Sequence, residues 1–191
     1  MAKKFFAFLS RMKYIERWSL MRSTQTENIA EHSYYVAVLA HALGVIRRDV
    51  FGKPCDPEQC ATGALYHDIP EILTGDLPTP IKYFNPEIRG AYRRVEQIAT
   101  EKLLAELPEQ MRGSVAGLVR EQDPGVRELV RAADKLSAYL KCVEEMRMGN
   151  REFSCAKAQQ EQALHAMRLP EVEYFLSEFA PAFELTLDEL Q

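Results

Sequence analysis

Apolar residues recur at helical spacing along most of the chain. Residues 126–148 are the clearest case: Val126, Leu129, Val130, Ala133, Leu136, Leu140 and Val143 fall on one face, which the pattern marks as buried. The same reading predicts a short amphipathic helix over 5–14 and a long helix over 27–48. Further helices are expected over 57–73, 86–106, 108–121, 151–168 and 171–180, with 17–25 irregular. Thr26 is the expected cap of the long helix, with Glu27 favourably placed in its first turn. Asp56-Pro57 is a start signal, a capping oxygen followed by a residue that needs no amide partner. Gly75, Pro78 and Pro80 prevent a continuous helix beyond that segment. No run alternates in the manner of a strand, no internal repeat is present, and connections look short. The expectation is an all-α fold: a single-domain compact helical bundle over residues 1–191.

Composition narrows the class without naming it. The chain has 191 residues, enough for one domain with a sizeable core. Apolar residues make up 47% and charged residues 27%, the balance of an ordinary soluble globular protein. A formal charge of -4 argues against non-specific binding to nucleic-acid polymers. No apolar run approaches the roughly 20 residues of a membrane span. The opening segment MAKKFFAFLSRMKYIERW is interrupted by charges and lacks a small-residue cleavage site, so it does not read as a signal peptide. Cytoplasmic location follows as the expectation. Cys55, Cys60, Cys142 and Cys155 show no C-x-x-C spacing and read as buried or incidental thiols in a reducing compartment.

Candidate chemistry begins with the histidines. His32 lines up with Ile29, Val36, Leu39 and Leu43 on an inward stripe. At about 100° per residue, His41 falls half a turn out of phase with it. His41 and His165 read as hydrogen-bonded core residues. His67 and Asp68 are adjacent near a helix end, and Glu71 follows on a neighbouring surface. Pro70, between them, removes an amide donor and disturbs a regular helix. Asp134 sits at the edge of the buried face of 126–148, where a carboxylate needs a partner. Taken alone, the His67-Asp68 pair could be a hydrogen bond at a helix end. Taken together, His32, His67, Asp68 and Asp134 offer two imidazoles and two carboxylates. That set suits a divalent transition metal such as Mn, Co, Fe, Ni or Zn. On a six-coordinate ion it would leave positions open for water and substrate.

With these residues assembled, the sequence resembles the HD-domain metal-dependent phosphohydrolases, named for their His…His-Asp…Asp set. It is more closely similar to the bacterial HD-domain 5′-deoxynucleotidases. The similarity covers essentially the whole chain, in FFAFLSRMKYIERWSLMR, TENIAEHS, LYHDIPEILTGDLPTPIKYF, ADKLSAYLKC and FELTLDEL. The ligand set marks the superfamily; Arg17-Trp18 with TGDLPTP is the more specific signal.

The resemblance implies metal binding by His32, His67, Asp68 and Asp134, the ion being Co or Mn, or another such as Zn, Ni, Fe or Cu. It implies that Arg17 orients the phosphate and that Trp18 contacts the nucleoside. It also implies that Asp76, Leu77, Pro78 and Thr79 form a substrate-contacting loop, with His32 and Asp68 also facing substrate, and that Glu71 is catalytic. Hydrolysis of deoxyribonucleoside 5′-monophosphates by a homodimer is the activity expected. Arg17, Glu71 and Asp76 are its candidate catalytic residues, with the division of proton transfer between Glu71 and Asp76 left open. The alternatives are an HD phosphohydrolase acting on a cyclic, triphosphate or signalling nucleotide, and a non-catalytic helical binding protein.

Overall fold

The computed structural model describes residues 2–82, 84–120 and 123–191. Its elements are α1 (Phe5–Leu9), a 3-10 turn (Met12–Tyr14), α2 (Ile29–Val45), α3 (Pro57–Leu65), α4 (Glu71–Thr74) and α5 (Thr79–Lys82). They continue with α6 (Pro86–Ala105), α7 (Glu109–Val119), α8 (Pro124–Arg147), α9 (Ser154–Ala166) and α10 (Pro170–Glu178). The all-α expectation holds: among the described residues the sole extended pairing is an isolated antiparallel bridge between Glu16 and Asn28. The final residue of the helix expected over 108–121, Glu121, lies outside the described residues.

Local chemistry accounts for where these helices start. Asp56 accepts from the Gln59 amide at 2.9 Å ahead of Pro57, as expected. Asn85 does the same for Ile88 at 2.7 Å ahead of Pro86. Asp123 accepts from Gly125 at 2.8 Å ahead of Pro124. Each proline occupies a first-turn position where no amide is needed. The long helix differs from expectation: Asn28, not Thr26, caps it. Asn28 Oδ1 accepts from the Glu31 amide (3.0 Å) and Glu31 Oε2 accepts from the Asn28 amide (3.2 Å), a reciprocal capping box. Beyond α2 the helix widens through Ile46–Val50, where the Phe51 amide reaches back to the Ile46 carbonyl at 3.2 Å. Against expectation, the combined Ile29–Val50 helix is long and apolar enough to qualify as a span by composition. However, 56% of its most apolar window is buried within the protein, as in a core helix.

The chain groups into two compact units. The first gathers residues 1–20, 26–33 and 66–122; the second gathers 21–25, 34–65 and 123–191. In the first unit, α6 packs against α1, α4, α5 and α7. Its apolar core includes Phe5, Met12, Ile29, Ile69, Leu103 and Leu107. In the second, α8 packs against α3 and α9, and every apolar position expected on its face is buried. The second unit also encloses a carboxylate. Glu145 accepts from the Thr24 amide (2.9 Å), Thr24 Oγ1 (2.9 Å), Lys141 Nζ (2.7 Å) and Asn150 Nδ2 (2.8 Å). Burial alone would raise its pKa, but those donors outweigh it and pull the carboxyl down to about 2.

Candidate active site

The chain does not run as one helix over 57–73. Helix α3 stops at Leu65, and residues 66–70 form tight turns before α4 begins at Glu71. The Glu71 amide bonds the Asp68 carbonyl at 3.0 Å, and the Ile72 amide bonds the Ile69 carbonyl at 3.2 Å. Pro70 sits at the entry to α4 with φ −58°, where its missing N–H removes no helical bond. Its place after Asp68 is therefore a start signal rather than a defect. Ile69, fully buried in the core of the first unit, anchors the turn between the candidate ligands and Pro70.

This turn aims His67 and Asp68 at His32. Asp68 Oδ2 lies 3.0 Å from His67 Nε2 and 3.5 Å from His32 Nε2, and the two imidazole centroids are 5.3 Å apart. One donor atom from each residue lies within 4.8 Å of the others. His32 is wholly buried on α2, beside the apolar stripe that predicts its direction. Two imidazole nitrogens and a carboxylate oxygen converging in this way fit a divalent transition metal of borderline softness. Asp134 lies half-buried on α8, in the second unit, and joins this set by resemblance alone. His41 and His165 are not core residues as expected: both are exposed, and His165 Nδ1 pairs with Glu173 Oε1 at 2.8 Å.

Around the cluster the charges are unequal. Burial opposes ionisation of Asp68, yet His67, His32 and Arg17 outweigh it and hold the carboxyl well below the usual carboxylate range. Glu71 is 4% exposed. Burial first, then the nearby negative charges of Asp68 and Asp76, push its carboxyl up to about 9. Burial also raises Asp76, against the pull of Arg17. Asp76, Leu77 and Pro78 are half-buried, while Thr79 is exposed and opens α5, so the expected loop ends in a short helix. Gly75 takes φ +73°, a left-handed conformation that suits glycine, to end α4 and start the loop. Tyr92 Oη donates to the Gly75 carbonyl at 3.3 Å and pins that corner.

Arg17 is largely withdrawn from solvent; its side chain is 13% exposed. Its Nη1 stands 3.8 Å from Asp68 Oδ2 and its Nε donates to Glu27 Oε2 at 3.1 Å. Trp18 Nε1 donates to the same oxygen at 2.9 Å. Nothing in the sequence marks Lys82, on α5. Its Nζ lies 2.8 Å from Glu96 Oε1, 4.0 Å from Glu71 Oε1 and 4.9 Å from the Tyr92 ring centroid. Its spacing of fourteen from Glu96 carries no local signal, so only the packing of α5 on α6 reveals it.

The helices find their counterpart among HD-domain phosphohydrolases. A crystal structure of an HD-domain phosphohydrolase from Listeria innocua matches with a TM-score of 0.83 and 26% identity, covering 94% of this chain and 88% of that one. The fold is therefore of the HD-domain type. Within it, the chain belongs to the YfbR-like 5′-deoxynucleotidase family, whose model matches residues 4–183. It is similar to 5′-deoxynucleotidase VP0926 of Vibrio parahaemolyticus, with 49% identity over 97% of both chains. It is also similar to 5′-deoxynucleotidase YfbR of Salmonella newport, with 48% identity over 97% of this chain and 94% of that one. The fold is shared by the cyanophage S-2L HD phosphohydrolase DatZ, bound to dA and one catalytic Zn2+. That match has a TM-score of 0.64 and 24% identity, over 92% of this chain and 95% of that one.

Proposed function

We infer that this protein hydrolyses deoxyribonucleoside 5′-monophosphates to deoxyribonucleosides and inorganic phosphate, with a divalent metal as cofactor. The observation that carries the reading is the His32-His67-Asp68 cluster with Arg17 against it, in a chain of this family. His32, His67, Asp68 and Asp134 are the proposed ligands. When bound, the ion would supply an acidified water and charge stabilisation at the phosphate. The chain's own residues do the rest. Arg17 holds and partly neutralises the phosphate through its planar array of donors. Trp18 forms a wall against the sugar. Asp76, Leu77, Pro78 and Thr79 line the substrate side. Water adds to phosphorus as the P–O5′ bond breaks, and one proton must pass from the water side to O5′. Glu71 is the proposed carrier, because its buried carboxyl is biased towards holding a proton.

Mn or Co is the proposed ion; the Zn2+ held by DatZ keeps zinc open for this fold. A homodimer in the cytoplasm, working on free nucleotides rather than polymers or membranes, follows the family resemblance and the net charge of -4. Residues 1–191 are proposed to act as one catalytic domain, since the family model runs unbroken over 4–183. A matrix of divalent metals against ribo- and deoxyribonucleoside monophosphates tests the function. Phosphate release confined to the deoxy series is expected. No release from any of them by metal-loaded protein would overturn the reading.

A further inference from the structure

We propose that Glu27 is a positioning residue that locks Arg17 and Trp18 into one substrate-facing unit, and so sets the preference for the sugar. The proposal rests on the reading of Arg17 and Trp18 given above. Both residues lie in a segment with no helix to hold them, between the Met12–Tyr14 turn and α2. What holds them is a short extended pairing. The Arg17 amide donates to the Glu27 carbonyl at 2.9 Å, and the Ile29 amide donates to the Ile15 carbonyl at 3.0 Å. That pairing sets the Glu27 side chain beside both residues.

One oxygen then does two jobs. Glu27 Oε2 accepts from Arg17 Nε at 3.1 Å and from Trp18 Nε1 at 2.9 Å. Binding the guanidinium through Nε fixes its plane with Nη1 on the Asp68 side, 3.8 Å from Oδ2. Binding the indole through Nε1 fixes the ring against a backbone at φ +59°, a left-handed conformation rare for so bulky a residue. The second oxygen, Oε1, faces His32 Nδ1 at 4.0 Å, beyond hydrogen-bond range but on the opposite side of the ring from the nitrogen that faces Asp68. Glu27 and Arg17 are 16% and 13% exposed, so water cannot readily replace either partner. A rigid aromatic wall and a phosphate clamp sharing one anchor can keep a fixed separation. Fixed separation is what discriminating a sugar hydroxyl requires.

Trp18 is the only tryptophan in the chain, so its emission reports on this anchor directly. The test compares Glu27→Ala and Glu27→Gln in the full-length metal-loaded protein. Glutamine keeps one oxygen that can accept both donors, while it loses the charge and turns the other oxygen into an NH2 donor. In Glu27→Ala, acrylamide quenching of Trp18 in the absence of nucleotide is expected to rise about 2-fold or more as the ring loses its tether. The kcat/KM on a deoxyribonucleoside monophosphate is expected to fall about 100-fold, the scale of a misplaced clamp. The deoxy-over-ribo ratio should fall with it, while metal per chain stays at the wild-type level. Glu27→Gln should restore quenching and the sugar ratio towards wild type. Wild-type quenching and sugar ratio in folded Glu27→Ala would overturn the proposal. So would a Glu27→Gln protein as unselective as Trp18→Ala. If Glu27→Ala does not fold, the Glu27→Gln comparison decides alone. Should wild-type protein release no phosphate at all, the functional reading fails while the quenching comparison still judges the anchor.

Discussion

Two buried glutamates show opposite designs. Glu145, 1% exposed in the second unit, receives hydrogen bonds from a backbone amide, a hydroxyl, an ammonium and a carboxamide. Its carboxyl is pulled down to about 2. Glu71, 4% exposed in the first unit, has an Oε2 with no hydrogen-bond partner among the described residues. Lys82 Nζ stands 4.0 Å from its Oε1 and is already engaged with Glu96. Burial and two neighbouring carboxylates push its carboxyl up to about 9. Both side chains are shielded from solvent, yet their chemistry is reversed. A carboxylate surrounded by donors is a structural anchor; one surrounded by negative charge is poised to exchange a proton.

Substitutions can break that contrast. His67→Ala, removing a proposed ligand beside Glu71, should strip bound metal and lower phosphate release by more than the roughly 100-fold typical of outer-shell changes. Elemental analysis alongside the assay checks both losses together. Glu71→Gln keeps the shape and removes the proton. Activity should fall about 100- to 10,000-fold, with thermal unfolding unchanged or shifted upward. Glu145→Ala should do the reverse. It leaves the buried Lys141 ammonium without its anion and should cost about 3–5 kcal/mol in denaturant unfolding, with kcat per folded molecule unaltered.

The smallest effect sharpens the comparison through pH. The folded carboxyl of Glu145 lies below its ordinary value of 4.5, so its contribution is complete above that pH. It is lost as pH falls towards about 2, a span worth about 3 kcal/mol. Glu71 in metal-free protein is displaced the other way. Between 4.5 and about 9 the unfolded chain has released a proton that the folded chain keeps, so this group lowers stability as pH rises. Denaturation curves across pH should therefore lose part of their acid limb in Glu145→Gln and flatten on the alkaline side in Glu71→Gln.

Much of this was legible where the cause is local. Asp56-Pro57 announces α3 because a cap and a first-turn proline act within four residues. The phase of His32 against Ile29, Val36 and Leu43 points it inward without any partner being known. Legibility fails where distant segments intervene. Thr26 loses the cap to Asn28 because pairing of Arg17 with Glu27 draws the preceding residues into extended backbone. Glu27 reads from sequence as a helix-dipole charge; its bonds to Arg17 and Trp18 span ten and nine positions with no periodic link. Lys82 and Glu96 meet only because α5 packs on α6. Neutral-looking spacing also misplaced His41 and His165, which solvent claims instead of the core.

Ile69 gives the candidate site an unusual kind of robustness. It is the one residue of the turn sunk entirely into the apolar interior, directly between His67-Asp68 and Pro70-Glu71. The candidate groups on either side are therefore tied through the backbone to a side chain held by the interior. A change of one methyl group in that interior is expected to be felt at the candidate groups above it. A residue with a purely apolar side chain thus works as the datum for the spacing of the candidate site.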